Sequence, residues 1–403
     1  MEGLHQYDCV RSAPFLVGAQ IARGTFCHVY DTDISQESPQ ILKTYKVYRQ
    51  FARAYRASSN ITESSHKYIE HIISYGAHVH ISADSFMPRI TVYAIIPRFE
   101  IRLSDHLEQC VRATNEGLPA VCVIHLARRL FKALQVLADS NIVHCDIKPS
   151  NIMIRAPPVY TATSITSFET VLCDFGSARF IGDSSRDYCK PASVGTVPYV
   201  APEILLGKHF TYSADIWSAM LTIFNAITND SLIDVYNTCN LSYGIDIESV
   251  CARDDEEDSS SEDEDSSDDS LSDDEDSSSH DHDHDESSYD EDSSSDDENV
   301  THDITFDLMY AHVLILYRLI GAPPESFCNM AKDYYNNGTP RYAHDLPQGT
   351  ISQFLQENYI NLNVTQMQEI ERFLTLGIKY MESDRARISV ILNHSFLRNA
   401  IDK

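Results

Sequence analysis

The chain has no CxxC pair, no 18-residue apolar run, no excess of basic charge, and one tryptophan in 403 residues. Its ten cysteines are scattered without Cys/His ligand spacing, which disfavours a zinc site or a disulfide framework and points to a reduced, intracellular protein. The best apolar stretches, Ala219 to Ile227 and Val313 to Ile320, are interrupted by Thr222, Asn225 and Arg318, so no membrane span is expected. The first nine residues lack a basic region and an apolar region, and no secretory signal is expected. With 31 Lys+Arg against 60 Asp+Glu, the charge balance gives no support for direct nucleic-acid binding, which would need a clustered basic face.

The missing basic charge is local. Between Asp254 and Glu298 no Lys or Arg occurs, while 25 of the 45 residues are Asp or Glu and 15 are Ser. Outside that block 31 basic residues face 35 acidic ones, a net of −4 instead of −29. The block cannot bury enough apolar surface to offset its ordering entropy, and it reads as a disordered acidic insertion in a near-neutral globular protein. His280, His282 and His284 alternate with Asp there and read as part of a solvated tract.

The rest of the chain changes character once. Short apolar segments run from Phe15 to Ile96 and end in the β-branched strand Ile90-Thr91-Val92-Tyr93-Ala94-Ile95-Ile96, which predicts a small antiparallel sheet. From about Leu118, apolar residues at Ile124, Leu126, Ala127, Leu130, Phe131, Leu134 and Leu137 predict one long amphipathic helix. Further helices are predicted at 214–228, 307–320, 352–358 and 364–381. The fold class is α+β with two lobes, a small β-rich one followed by a larger helical one.

Five motifs follow in order. Val143-His144-Cys145-Asp146-Ile147-Lys148-Pro149-Ser150-Asn151 comes directly after the long helix. Val171-Leu172-Cys173-Asp174-Phe175-Gly176 is an apolar strand ending in Asp-Phe-Gly. Gly195-Thr196-Val197-Pro198-Tyr199-Val200-Ala201-Pro202-Glu203 ends in Ala-Pro-Glu. Asp215-Ile216-Trp217-Ser218 and Arg385-Ala386-Arg387-Ile388-Ser389 complete the set. Together they resemble the eukaryotic-type Ser/Thr protein kinases over roughly residues 14 to 397, apart from the acidic block.

That resemblance implies ATP and Mg²⁺ as cofactors and Ser/Thr hydroxyls of proteins as acceptors. It implies Asp146 as catalytic base, Lys148 as the cation beside the transferring phosphoryl group, and Asn151 and Asp174 as metal ligands. It implies that Asp215 braces the catalytic loop and that Glu203 pairs with Arg387. Lys148 and Thr196 are the residues Ser/Thr kinases carry here, in place of the Arg and Ala of Tyr kinases. The implied layout is a tail at 1–13, the small lobe at 14–97, the first part of the large lobe at 98–250, the acidic insertion at 251–300, the second part at 301–397 and a tail at 398–403.

The small lobe matches less regularly. Ile21-Ala22-Arg23-Gly24-Thr25-Phe26-Cys27-His28-Val29-Tyr30 aligns with the Gly-rich phosphate loop, with Ala22, Gly24 and Val29 against the nucleotide; Ala22 and Cys27 stand where glycines are usual. Lys43, after Ile41-Leu42, is preferred over Lys46 as the ATP lysine. Its carboxylate partner on the following helix is expected to be Glu63, with Glu70 as the alternative. Ile96 would be the gatekeeper, with adenine on the Pro97 C=O and the Phe99 N–H, since proline loses only its own N–H.

Ala94-Ile95-Ile96-Pro97-Arg98-Phe99 followed by Leu103-Ser104-Asp105-His106-Leu107 is similar to alphaherpesvirus Ser/Thr kinases. Ala311 to Gly321 resembles kinases of the cyclin-dependent and SR-protein type. These likenesses imply a kinase of a large DNA virus, located in the host-cell nucleus or cytoplasm. Cys145 replaces the Arg that usually binds an activation-loop phosphate, which predicts activity without phosphorylation at Ser184, Ser185, Tyr188 or Ser193. The acidic insertion predicts recruitment of basic proteins, with phosphorylation of its serines and a solubilising role as the alternatives. The substituted glycines leave one alternative, a pseudokinase scaffold that binds partners through the large lobe and the acidic insertion.

Overall fold

The structure, a computed structural model, describes residues 17–23, 27–32, 39–80, 89–114, 117–155, 169–182, 196, 199–208, 210–228, 312–340, 348–358 and 363–398. The insertion at 251–300, its histidines, Gly24 and the serines at 184, 185 and 193 lie outside these residues.

The first part is a five-stranded antiparallel sheet in the order β1-β2-β3-β5-β4. Its strands are β1 (Val17–Arg23), β2 (Cys27–Thr32), β3 (Gln40–Tyr45), β4 (Ser74–His80) and β5 (Arg89–Pro97). β5 is the β-branched stretch, as expected of side chains that suit a pleated surface. Between β3 and β4 runs helix α1 (Tyr48–Asn60), whose buried Phe51, Ala54 and Ala57 recur every third residue and seat it against the sheet.

The second part is helical and is built round α3 (Ala120–Asp139), which buries nine apolar side chains along one stripe from Cys122 to Leu137. α5 (Tyr212–Thr228) is buried nearly all round, including Trp217, as its apolar sequence requires. α2 (Leu103–Thr114) and the short α4 (Pro202–Leu205) lie before it in the chain. Two small ladders flank α3. One pairs β6 (Ile101–Arg102), β8 (Ile152–Arg155) and β9 (Glu169–Leu172); the other pairs β7 (Ile142–Val143) with β10 (Arg179–Phe180).

The later helices predicted from the sequence fall at 312–320, Ile351–Asn358 and Val364–Leu374, and short helices occupy Glu325–Met330, Ile388–Leu392 and Ser395–Arg398. Helix Val364–Leu374 begins with a reciprocal capping box between Asn363 and Gln366. It stops seven residues short of the predicted end at 381. At Gly377 the chain runs so close to α5 that a β-carbon would stand 2.6 Å from Met220 Cγ. The apolar Leu376 and Ile378 that extended the helical pattern are packed as a loop.

Candidate active site

The loop between β7 and β8 turns sharply. Cys145 takes φ 69°, in the left-handed region that an ordinary side chain avoids. Asp215, at the start of α5, holds the turn: Oδ2 accepts from the His144 N–H at 2.7 Å and Oδ1 from the Cys145 N–H at 3.0 Å. Burial pushes the Asp215 carboxyl up to about 7, against the pull of those two N–H groups.

His144 is fully buried, and that burial lowers its pKa, so the ring is neutral. Its tautomer follows from its partners. Nε2 lies 3.0 Å from the Cys173 C=O, which can only accept, and Nδ1 accepts the Asp146 N–H at 3.3 Å. The ring meets Phe175 edge-on, with centroids 4.8 Å apart.

Asp146 sits at the centre of a polar network. Thr196 Oγ1 donates to Oδ1 at 2.8 Å, and Lys148 Nζ lies 3.1 Å from Oδ2 and bonds Thr196. Asn151, five residues on, donates its amide N–H groups to the Asp146 backbone C=O and to Oδ2 at 2.8 and 2.9 Å. Its amide oxygen is then the atom left for a metal. Asn151 C=O also accepts from the Cys173 N–H at 2.9 Å, which joins this loop to the segment bearing Asp174. Asp174, at φ 66°, is the second strained residue of the site. Asn151 and Asp174 both offer hard oxygen donors, which suits Mg²⁺ completed by phosphate and water.

From the sheet side, Ala22, Val29 and Lys43 lie opposite one another across β1, β2 and β3. Opposed residues share a face of the sheet. Lys43 is buried, whereas Lys46 is exposed. Lys43 Nζ lies 3.1 Å from Asp174 Oδ1 and 3.6 Å from Glu70 Oε1. Burial opposes the Lys43 charge, but the two carboxylates outweigh it and hold its pKa well above the usual lysine value. Burial raises Glu70, only partly offset by Lys43, whereas Asp174 is lowered because Lys43 overcomes its burial.

Two sequence expectations are corrected. Glu63 is exposed in a 3-10 turn at Glu63–Ser65, and Glu70, the alternative, is the residue against Lys43. Glu63 lies among Thr62, Ser64 and Ser65, whereas Glu70 interrupts the run Tyr68-Ile69-Glu70-His71-Ile72-Ile73. A charge inside an apolar run is one that needs a buried partner. The partner of Glu203 is Arg385 instead of Arg387. Arg385 is buried, bonds both Glu203 oxygens at 2.5 and 2.6 Å, donates to the Ser213 C=O and lies over Trp217. Arg387 is exposed at the start of helix Ile388–Leu392. Pro97 ends β5 opposite Gln40, Ile96 is buried, and Phe99 is buried between two backbone bonds, Arg98 N–H to Pro39 C=O and Glu100 N–H to Ile154 C=O.

Comparison with known proteins agrees with this geometry. Residues 15–397 match the protein kinase domain family. Serine/threonine-protein kinase D3 of Homo sapiens is 33% identical over 124 residues, 31% of this chain and 13% of that protein. Serine/threonine-protein kinase dkf-2 of Caenorhabditis briggsae is 36% identical over 125 residues, 31% of this chain and 10% of that protein. The matched stretch is thus 10–13% of the length of these curated relatives. A solved crystal structure of a kinase domain superposes with a TM-score of 0.58 over 95% of each chain at 15% identity. That likeness extends to the two-lobed architecture.

Proposed function

Since this chain belongs to the protein kinase family, we propose that it transfers the γ-phosphoryl group of ATP to Ser and Thr hydroxyls of proteins. The observation that carries this reading is the network joining Asp146, Lys148, Asn151 and Thr196, with Lys43 reaching across from the small lobe to Asp174. Asp146 takes the proton of the acceptor hydroxyl and aims its oxygen. Lys148 offsets charge beside it. Asn151 and Asp174 would hold Mg²⁺, and Mg-ATP, when bound, supplies the phosphoryl group with part of its charge neutralised. Lys43 orients the phosphates, Ala22 and Val29 cover the nucleotide, and the Pro97 C=O and Phe99 N–H take the adenine edge. Thr196, bridging Asp146 and Lys148, supports Ser/Thr acceptors.

Where an arginine would bind a loop phosphate, Cys145 packs with Val143, Phe210 and Tyr212. That apolar setting supports activity without activation-loop phosphorylation. The acidic tract at 254–298 recruits basic proteins by long-range attraction. The substituted phosphate-loop glycines favour a scaffold, but the complete set of polar residues supports turnover.

The test is transfer from labelled Mg-ATP to a basic and an acidic protein, with and without residues 254–298. Transfer that prefers the basic acceptor, and loses that preference on deletion, supports both parts. Transfer with no such preference removes the recruiting role, and no transfer removes the kinase reading.

A further inference from the structure

The glutamate that pairs with the ATP lysine of protein kinases ordinarily stands on the helix after that lysine, and positioning of the helix makes or breaks the pair. Here α1 contains no Asp or Glu in its thirteen residues. Its charged residues are the basic Arg49, Arg53 and Arg56, and near its end Ser58 Oγ accepts from the Ile72 N–H at 2.8 Å. Arg53 Nη1 donates to the Gly176 C=O at 3.4 Å, Gln50 packs against Gly176, and the Arg56 guanidinium lies 3.9 Å over the Phe180 ring.

Glu70 reaches Lys43 from outside the helix. It lies on an extended segment hooked to β9 of the large lobe. The Leu172 N–H donates to the Tyr68 C=O at 2.9 Å, the Glu70 N–H to the Leu172 C=O at 2.8 Å, and Ile69 forms a parallel bridge with Leu172. The same strand leads, two residues on, to Asp174, the other carboxylate on Lys43. Three residues after Glu70, the Ile73 N–H donates to the Ile95 C=O on β5.

We propose that Glu70 is the positioning residue for Lys43, and that the Lys43–Glu70–Asp174 cluster is held by β3 and by the hook to β9, with no carboxylate from α1, which meets the Glu70 segment through Ser58 Oγ and the Ile72 N–H. The helix instead clasps residues 176–180, at the start of the activation segment, with a basic face. A partner that shifts α1 therefore changes that segment while the lysine keeps its carboxylates. This inference rests on the kinase reading for its kinetic test and stands apart from it in a second measurement.

The kinetic test uses the full chain and labelled Mg-ATP. A displaced lysine misplaces the phosphates, so Glu70→Gln should lower kcat/KM for ATP about 100-fold. Glu70→Asp, which keeps the charge, should recover at least about tenfold of that loss, and Glu63→Gln should stay within about twofold of the parent. Equal loss in Glu63→Gln, or no loss in Glu70→Gln, overturns the proposal. The second measurement is amide hydrogen exchange on the unmutated protein without nucleotide, which needs neither turnover nor a folded variant. Glu70 and Leu172 amides that open together, and with a free energy different from that of α1, support the proposal. A Glu70 amide that opens with α1 and apart from Leu172 overturns it. A parent chain that transfers no phosphate refutes the kinase reading alone, and exchange then decides the placement of Glu70.

Discussion

The two sides of the cleft are built in different ways. On the large-lobe side, Asp146, Lys148 and Asn151 meet within six residues of chain, braced by Asp215 and Thr196. On the small-lobe side, Lys43 finds Glu70 and Asp174 across 27 and 131 residues. The first arrangement is largely set by local spacing. The second depends on which segment the fold brings against β9. A site of the first kind changes little without losing its motif, whereas a site of the second kind can take its carboxylate from a new position while the lysine stays put.

The sharpest way to break the large-lobe side is Asp146→Asn. Loss of the proposed base should lower the rate of transfer by about 10²–10⁴-fold with little change in the thermal midpoint. Next comes Arg385→Ala. It strands Glu203, which is 3% exposed, and removal of one partner of a buried ion pair costs about 3–5 kcal/mol. Chemical unfolding should show that loss, and Arg387→Ala, at an exposed position, should stay within about 0.5 kcal/mol of the parent.

The small-lobe side should reveal itself through pH. Glu70 is raised by burial, so it protonates above the ordinary glutamate value of about 4.3 as pH falls. Because the folded-state value exceeds the unfolded one, the fold prefers the neutral acid, and the cost of burying the carboxylate grows as pH rises through the folded value. Acidification should therefore remove Lys43's partner, and with it activity, while the protonation of Glu70 itself favours the folded state. The acid limb of kcat/KM for ATP should lie above the ordinary glutamate range in the parent and be absent in Glu70→Gln. The smallest effect is expected for Ser184→Ala/Ser185→Ala, which should leave phosphate transfer within about twofold, since Cys145 offers a loop phosphate no guanidinium. Loss of transfer in that double variant would contradict this account of the loop.

The same division explains what could be read from the sequence. The strand Arg89–Pro97 and helices Ala120–Asp139 and Tyr212–Thr228 announce themselves by β-branching or by apolar periodicity. The sequence marks Asp146, Asn151 and Asp174 because their spacing along the chain is their geometry. Arg385 and Arg387 stand two residues apart in one motif, and only burial over Trp217 distinguishes them. Glu63 satisfied a distance along the chain, but the Tyr68–Leu172 hook places Glu70 at the lysine. The end of helix Val364–Leu374 was hidden for a similar reason, since Gly377 answers to α5 and not to its neighbours in sequence.

The most direct measurement is transfer of the labelled γ-phosphate from Mg-ATP to a protein acceptor by the full chain and by Asp146→Asn, followed by identification of the phosphorylated amino acid. Phosphoserine and phosphothreonine formed by the parent and lost in the variant are the predicted result. Phosphotyrosine, or transfer indifferent to the loss of Asp146, would contradict the account.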